Sequence, residues 1–417
     1  MFDAPKIGKD SMNHLIRRSL MILLCQCVLA SAWSVAQTSA LRLFLLDPAT
    51  MMKIKSECLT HDPSREPALK QLIKDADKLL TKEPVSVMEK PQVPPSGDKH
   101  DYMSLGRYFW PDPTKPDGLP YINRDGEVNP EVYEMSDYRN HGTMVDAVST
   151  LALAYYLTDH ESYAEHAVRF IRTWFIDSTT RMNPNFDFAQ GIKGKNPGRS
   201  WGIIESRGFT KVIDGIGLLA GSKGWTPDDQ RQMVAWFDRF LSWLQTSDNG
   251  RGEAKATNNH GVWYDVQVAS MALFVGKRDA AKDVLERAKT ERIAGQIEPD
   301  GSQPRELART TSKHYTAFNL EAFFALASIG SNAGIDLCNY QSDDGRGIRK
   351  ALDWVIPYLR DEKEWTHKQI NNFDPAAYYP LLIKASAVFR DQSYGELAKT
   401  LAGARGRSHR IHLLVGN

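Results

Sequence analysis

The sequence is poor in cysteine, has no surplus of either charge and carries no metal-ligand spacing, and each shortage removes a class of protein. It has four cysteines in 417 residues, and Cys25 and Cys27 sit inside an apolar leader. Only Cys58 and Cys338 lie beyond it, so the chain is no disulfide-stapled scaffold, while one bridge and two free thiols stay equally open. Lys and Arg number 52 against 51 Asp and Glu, a formal net charge of +1. A general nucleic-acid binder carries a basic surplus, and this chain has none. A local basic groove for a polyanion remains allowed, because net charge is silent on distribution. Neither metal nor cofactor is expected. Past residue 36 no run is apolar enough to span a bilayer.

What is present begins with a targeting pattern. Arg17 and Arg18 precede the apolar run 20–29, and Ala30, Ser31, Ala32, Ser34 and Ala36 follow it. A basic start, a short apolar stretch and a small-residue exit make a signal peptide. Residues 1–11 read as an upstream extension before Met12, residues 1–36 as the cleaved segment, and 37–417 as one catalytic domain. The expected destination is periplasmic or secreted, with no membrane attachment after cleavage, and the expected state is a monomer. A composition of 42% hydrophobic and 25% charged residues suits a soluble globular chain. Ten Trp residues are enough to fill a core and still line a carbohydrate cleft.

Residues 68–80 read as a short helix. The stretch 84–120 is long, rich in Pro, Gly and Asp, and includes "YMSLGRYFWPDPTKPDGLPY". A loop of that length is functional or disordered, and its aromatics argue against disorder. After Asp137 helical spacing recurs at 141–158, 161–176, 228–245, 261–275, 278–294, 313–329, 348–360 and 375–390. Strand alternation is scarce. Helices with one apolar stripe each must bury those stripes against one another. With about a dozen of them and no 34- or 40-residue repeat, the expectation is all-α: an α/α toroid, an incomplete α/α barrel, with the aromatic and Pro-rich loop over its cleft.

Four segments concentrate polar residues where helices begin: "YRNHG" at 138–142, "WGIIESRG" at 201–208, "NNHGVWYD" at 258–265 and "QPRELARTTSKHYTAFN" at 303–319. Each residue has an ordinary reading beside the functional one. Arg139, Asn140 and His141 either cap a helix or line the cleft. Glu205 and Arg207 either pair with each other or bind sugar hydroxyls and carboxylate. Tyr108 and Trp110 either pack or stack on a sugar ring. Taken alone, His260 is a helix-cap or core residue and Tyr315 is packing; His314 reads as structural, and Asn371 and Asn372 as a loop at the cleft edge.

Asn-Asn-His at a helix start, followed by "RELARTTSKHY", resembles the alginate-lyase domain family of polysaccharide lyases. "SLGRYFWPDPTKPDGLPY", "EVNPE" and "PDGSQPRELARTTSKHYTAFN" resemble the branch with activities on alginate and on β-1,4-glucuronan. The likeness runs from about residue 100 to 390 and implies the α/α toroid already read from the helices. It implies β-elimination on an anionic polysaccharide, alginate with a mannuronate-rich preference or β-1,4-glucuronan as the alternative. Tyr315 matches the family's catalytic tyrosine, with Asn259 and His260 helping to neutralise the substrate carboxylate and Arg309, with Arg305 as its competitor, as the charged clamp.

The chemistry explains those residue types. The C5 proton of a uronate lies α to a carboxylate, and it becomes removable only when hydrogen bonds or positive charge offset the developing dianion. Arg grips a carboxylate through two parallel bonds, which Lys cannot. A phenol with an ordinary pKa of about 10 must be lowered by neighbouring cations before it accepts a proton, and Arg309, His260 and Lys313 are the candidates. In mannuronate and glucuronate H5 and O4 share a side, so one Tyr can act as base and then as acid. In guluronate they are opposed, and His260 becomes the candidate base. A glycoside hydrolase on the same scaffold would need two carboxylates, for which Glu205 and Asp265 are available, but it leaves Asn259, His260, Arg309 and Tyr315 without roles. A non-catalytic sugar binder has no use for that set either.

Overall fold

Helices account for most of the chain because apolar residues recur at helical spacing and Pro, Asp, Thr or Asn punctuates their starts. A computed structural model describes Met1 and residues 41–416, so the leader, with Cys25 and Cys27, lies outside the described residues. The helices in order are α1 (Pro48–Leu59), α2 (Glu66–Leu79), α3 (Ser136–Thr158), α4 (Glu161–Ile171), α5 (Phe209–Leu218), α6 (Pro227–Thr246), α7 (Asp248–Ala254), α8 (Asn259–Phe274), α9 (Arg278–Ala288), α10 (Pro304–Leu307), α11 (Ser312–Ala333), α12 (Ile348–Leu359), α13 (Tyr379–Phe389) and α14 (Gln392–Ala402). Residues 42 onward form one compact unit. Two expected helices, 161–176 and 278–294, end in a wider π-type turn.

The pairs α3/α4, α8/α9, α11/α12 and α13/α14 pack as helical hairpins, α6 packs against α8, and α3, α5, α8, α11 and α13 form a chain of neighbours. That is the α/α toroid: an inner row, apolar on nearly every face, backed by an outer row with one apolar stripe. Inner and outer helices alternate along the chain, so the inner ones run the same way and gather their N-termini at one end. There the connections are long. The polar segments at 138–142, 201–208, 258–265 and 303–319 all lie at starts of inner helices, within one ring.

One inner helix, α5, was not legible from spacing. It is buried on almost every face and contains Gly215 and Gly217. A Cβ on Gly217 would fall 2.2 Å from the carbonyl oxygen of Arg42, so glycine lets residues 42–46 cross the base. Asp214 fixes that crossing by accepting hydrogen bonds from the backbone N–H of Phe44, Leu45 and Leu46 at 2.9, 3.0 and 2.7 Å.

The aromatic loop is ordered, and buried polar groups hold it. Lys90 and Asp137 are wholly buried and pair at 2.9 Å. Tyr102 stacks on Phe186 at 4.1 Å. Strand β1 (Met103–Leu105) pairs in parallel with Phe188–Gly191, and β2 (Phe109–Trp110) pairs with β3 (Ile122–Asn123) as a small hairpin. Cys58 and Cys338 are free thiols, each pushed up to about 11 by burial.

Candidate active site

Tyr315 stands one turn into α11. Its phenol oxygen accepts a hydrogen bond from Arg309 Nη2 at 2.7 Å and donates to the hydroxyl of Tyr108 at 3.1 Å. The Arg309 guanidinium also lies against the Tyr315 ring, 3.6 Å from its centre. Asp125 holds Arg309 through Nε and Nη2 and takes the Thr310 amide at 3.0 Å. Gly126, at φ +82°, makes that approach possible, since a Cβ there would lie 2.5 Å from Thr310 Oγ1.

Two expectations change here. A bidentate grip of Arg309 on a substrate carboxylate is not open, because Nε and Nη2 already serve Asp125 and Tyr315; Nη1 is left. The Tyr315 phenol is also not lowered. Burial pushes it well above the ordinary tyrosine range and outweighs Arg309. Lys313 does not help, since its ammonium lies over Trp365.

His260 begins α8 below a cap in which the Asn258 side chain accepts from its backbone N–H. Its Nδ1 meets Glu253 Oε1 at 2.7 Å, and its ring lies 5.1 Å from that of Trp201, which is 45% exposed. Glu253 is wholly buried, so a proton on Nδ1 is held there and Nε2 is left for the groove. Asn259 is wholly buried instead of lining the groove: its backbone N–H and Nδ2 donate to Glu306 at 2.7 and 2.8 Å. It fixes the start of α8 against α10.

The remaining candidates separate. Arg305 turns outward to the carbonyl of Gly295. Asn140 is buried and ties down the loop through Ser86 O and Glu89. His141 sits within reach of the rings of Tyr102, Trp174, Phe186 and Phe209 and is held down to about 3 by burial. Glu205 does not pair with Arg207; it accepts from Tyr102 and Ser104 hydroxyls at 2.8 and 2.6 Å. Arg207 and the exposed Arg139 line a chamber beneath the groove. Trp110 donates to Glu127 O and lies beside Arg124. Tyr108 meets the Tyr315 phenol through its hydroxyl. His314 is exposed and contacts Gln369, while Asn371 reaches Gly126 O at the cleft edge.

Arg199 was missed. It lies 4.8 Å from the Phe109 ring and 5.1 Å from the Trp201 ring, within electrostatic reach of both Tyr315 and Glu253. Burial pushes it down to about 10, still charged at neutral pH. It supplies a second cation between the tyrosine and histidine halves of the site. Among the described residues no group of three or more His, Cys, Asp or Glu gathers as a metal site.

This arrangement has relatives. A family model described as alginate lyase matches residues 86–365. The crystal structure of an alginate lyase from Bacteroides ovatus is 41% identical, with a TM-score of 0.85 over 89% of this chain and 98% of that one. Alginate lyase A1-III from Sphingomonas species A1 is 17% identical, with a TM-score of 0.59 over 89% and 95%. A variant of A1-III complexed with a tetrasaccharide is 16% identical, with a TM-score of 0.60 over 91% and 98%; at that identity these two speak for the fold. A comparison with curated proteins returns no match. With a family match over most of the chain and a near-complete structural counterpart, this chain belongs to the alginate lyase family and is a polysaccharide lyase.

Proposed function

We propose that this lyase acts on alginate, on its mannuronate-rich stretches, by β-elimination at the 4-O-glycosidic bond, with Tyr315 as base and then acid. The observation that carries the reading is the hydrogen-bond chain from Arg309 through the Tyr315 oxygen to Tyr108. Tyr108 gives the phenol proton a way out, and Arg309 stabilises the phenolate left behind. Tyr315 then takes H5 from the uronate, the C4–O bond breaks as the C4–C5 double bond forms, and Tyr315 returns the proton to the leaving oxygen. Arg309 Nη1, Arg199 and His260 are the groups available to offset charge on the substrate carboxylate. Trp201, exposed beside His260, offers a face for a sugar ring. Export to the periplasm or the medium is part of this reading and rests on the leader pattern 17–36.

A second reading is favoured by one observation, that Tyr315 is largely enclosed by protein, which pushes its phenol above the ordinary tyrosine range. In guluronate a phenol is already the acid needed on the O4 side, and His260, backed by Glu253, is the base. The test is to incubate the purified chain separately with polymannuronate, polyguluronate and β-1,4-glucuronan and follow the ultraviolet absorbance of the unsaturated product. Fastest cleavage of polymannuronate is expected. Cleavage of polyguluronate alone would give the base role to His260, and cleavage of glucuronan alone would move the substrate to the C2 epimer. Cleavage of none would contradict both readings.

A further inference from the structure

Beneath the layer of His260 and Tyr315, the lumen of the toroid opens into a chamber of about 740 Å³. Small-molecule sites span roughly 300–1,000 Å³. Trp263 and Phe318 stand one turn below His260 and Tyr315 on α8 and α11, and the Arg207 guanidinium lies 5.9 and 5.2 Å from their rings. Below Arg207 the wall carries Lys211, Lys384 and Glu321, and Leu45 and Leu46 line its far end.

The chamber holds more positive charge than its own acids answer. Among the described residues Lys211 and Lys384 have no hydrogen bond or ion pair. Arg207 has one hydrogen bond, to the carbonyl of Ile204. Asp214 is taken by three backbone amides, Glu205 by two hydroxyls, and Asp146 lies 4.0 Å from Arg410. Among the described residues Glu321 is the acid of the wall with no hydrogen bond or ion pair; it acts on Arg207, Lys211 and Lys384 through space, while Glu205, Asp146 and Asp214 each act on one of them. Lys211 and Glu321 are open to the lumen although protein surrounds them, and burial pushes the lysine down and the glutamate up. Arg207 and Lys211 repel one another across the lumen, as do Lys211 and Lys384, and an entering anion relieves that repulsion.

We propose that this chamber is a second binding site, separate from the catalytic layer, which takes a uronate whose carboxylate is held by Arg207, Lys211 and Lys384. Trp263 and Leu153 add apolar surface to the wall. The choice of a uronate over another anion rests on the proposed function, because that reaction releases uronates directly above the chamber.

The test is calorimetric titration of D-glucuronate, acetate and inorganic phosphate, each separately, into the full chain and into a Lys211→Gln, Lys384→Gln double variant. Glucuronate should bind the wild type and at least tenfold more weakly to the variant, with initial polymer cleavage unchanged. No binding to the wild type, or equal binding to both proteins, would overturn the site. Acetate or phosphate binding as tightly as glucuronate would overturn the assignment to a sugar. If the double variant does not melt cooperatively, Lys211→Gln alone carries the comparison, since that side chain faces the lumen. Polymer cleavage by the same wild-type preparation separates the two claims: its absence strikes the proposed function, whereas cleavage without glucuronate binding strikes the chamber alone.

Discussion

Arg309 Nη2 sits 2.7 Å from the phenol oxygen of Tyr315, yet the phenol stays protonated. The cation favours the phenolate and burial opposes it, and burial is the larger effect. Arg309 therefore does not hold Tyr315 as a standing tyrosinate; in the proposed mechanism it lowers the cost of making one.

A pH dependence follows. The folded-state pKa of Tyr315 lies above the ordinary value of about 10, so below it the fraction of enzyme with an unprotonated phenol rises about tenfold per pH unit. On polymannuronate kcat/KM should climb with pH across the neutral and mildly alkaline range, with a slope approaching one. A flat profile there would rule out Tyr315 as the base.

Replacing Arg309 by Gln removes the charge that stabilises the phenolate and its hydrogen bond. The loss should resemble that of one preorganised donor, about 10²–10³-fold in kcat. KM should change far less, because Arg309 is already engaged by Asp125 before substrate arrives. Steady-state kinetics that put the whole effect in KM would make Arg309 a substrate clamp instead.

Glu253→Gln tests how His260 is held. The carboxylate oxygen lies 2.7 Å from Nδ1 and favours the tautomer with its proton there, whereas an amide can present its NH₂ group and turn the imidazole to the other tautomer. A fall of about tenfold in kcat, or ~1.4 kcal/mol, is expected with a shifted pH profile. Unchanged kinetics would leave His260 as a cap residue.

Much of this was legible. The outer helices show their stripes, and the four polar segments at inner-helix starts were visible as departures from apolar spacing. What the sequence hid is partnership across distance. Tyr108 and Tyr315 are 207 residues apart, and nothing local marks their hydroxyls as neighbours. Arg199 sits in a glycine-rich loop that reads as a connection, and Asp125 reaches Arg309 only once the aromatic loop folds over α11. Glu205 and Asn140, polar at helix starts, serve as buried partners of the loop at 86–105, and nothing local marks those pairings.

His141 gives a stability prediction. Its folded pKa is depressed to about 3, below the unfolded value near 6.5. Below pH 6.5 the unfolded chain binds a proton that the folded chain refuses, so this contribution is complete above 6.5 and is lost as pH falls toward 3. His141→Phe, surrounded by rings, should remove that loss and flatten the decline of Tm between pH 6.5 and 4 relative to wild type. Parallel melting curves for the two proteins would show that the imidazole is not the titrating group.

The most direct test of the central claim is the rate of unsaturated-product formation by Tyr315→Phe beside the wild type on the same polymer. The phenyl ring keeps its contact with Arg309 and loses only the oxygen that moves the proton. The account predicts a fall of about 10²–10⁴-fold with polymer still bound. A variant that cleaves at the wild-type rate would contradict it.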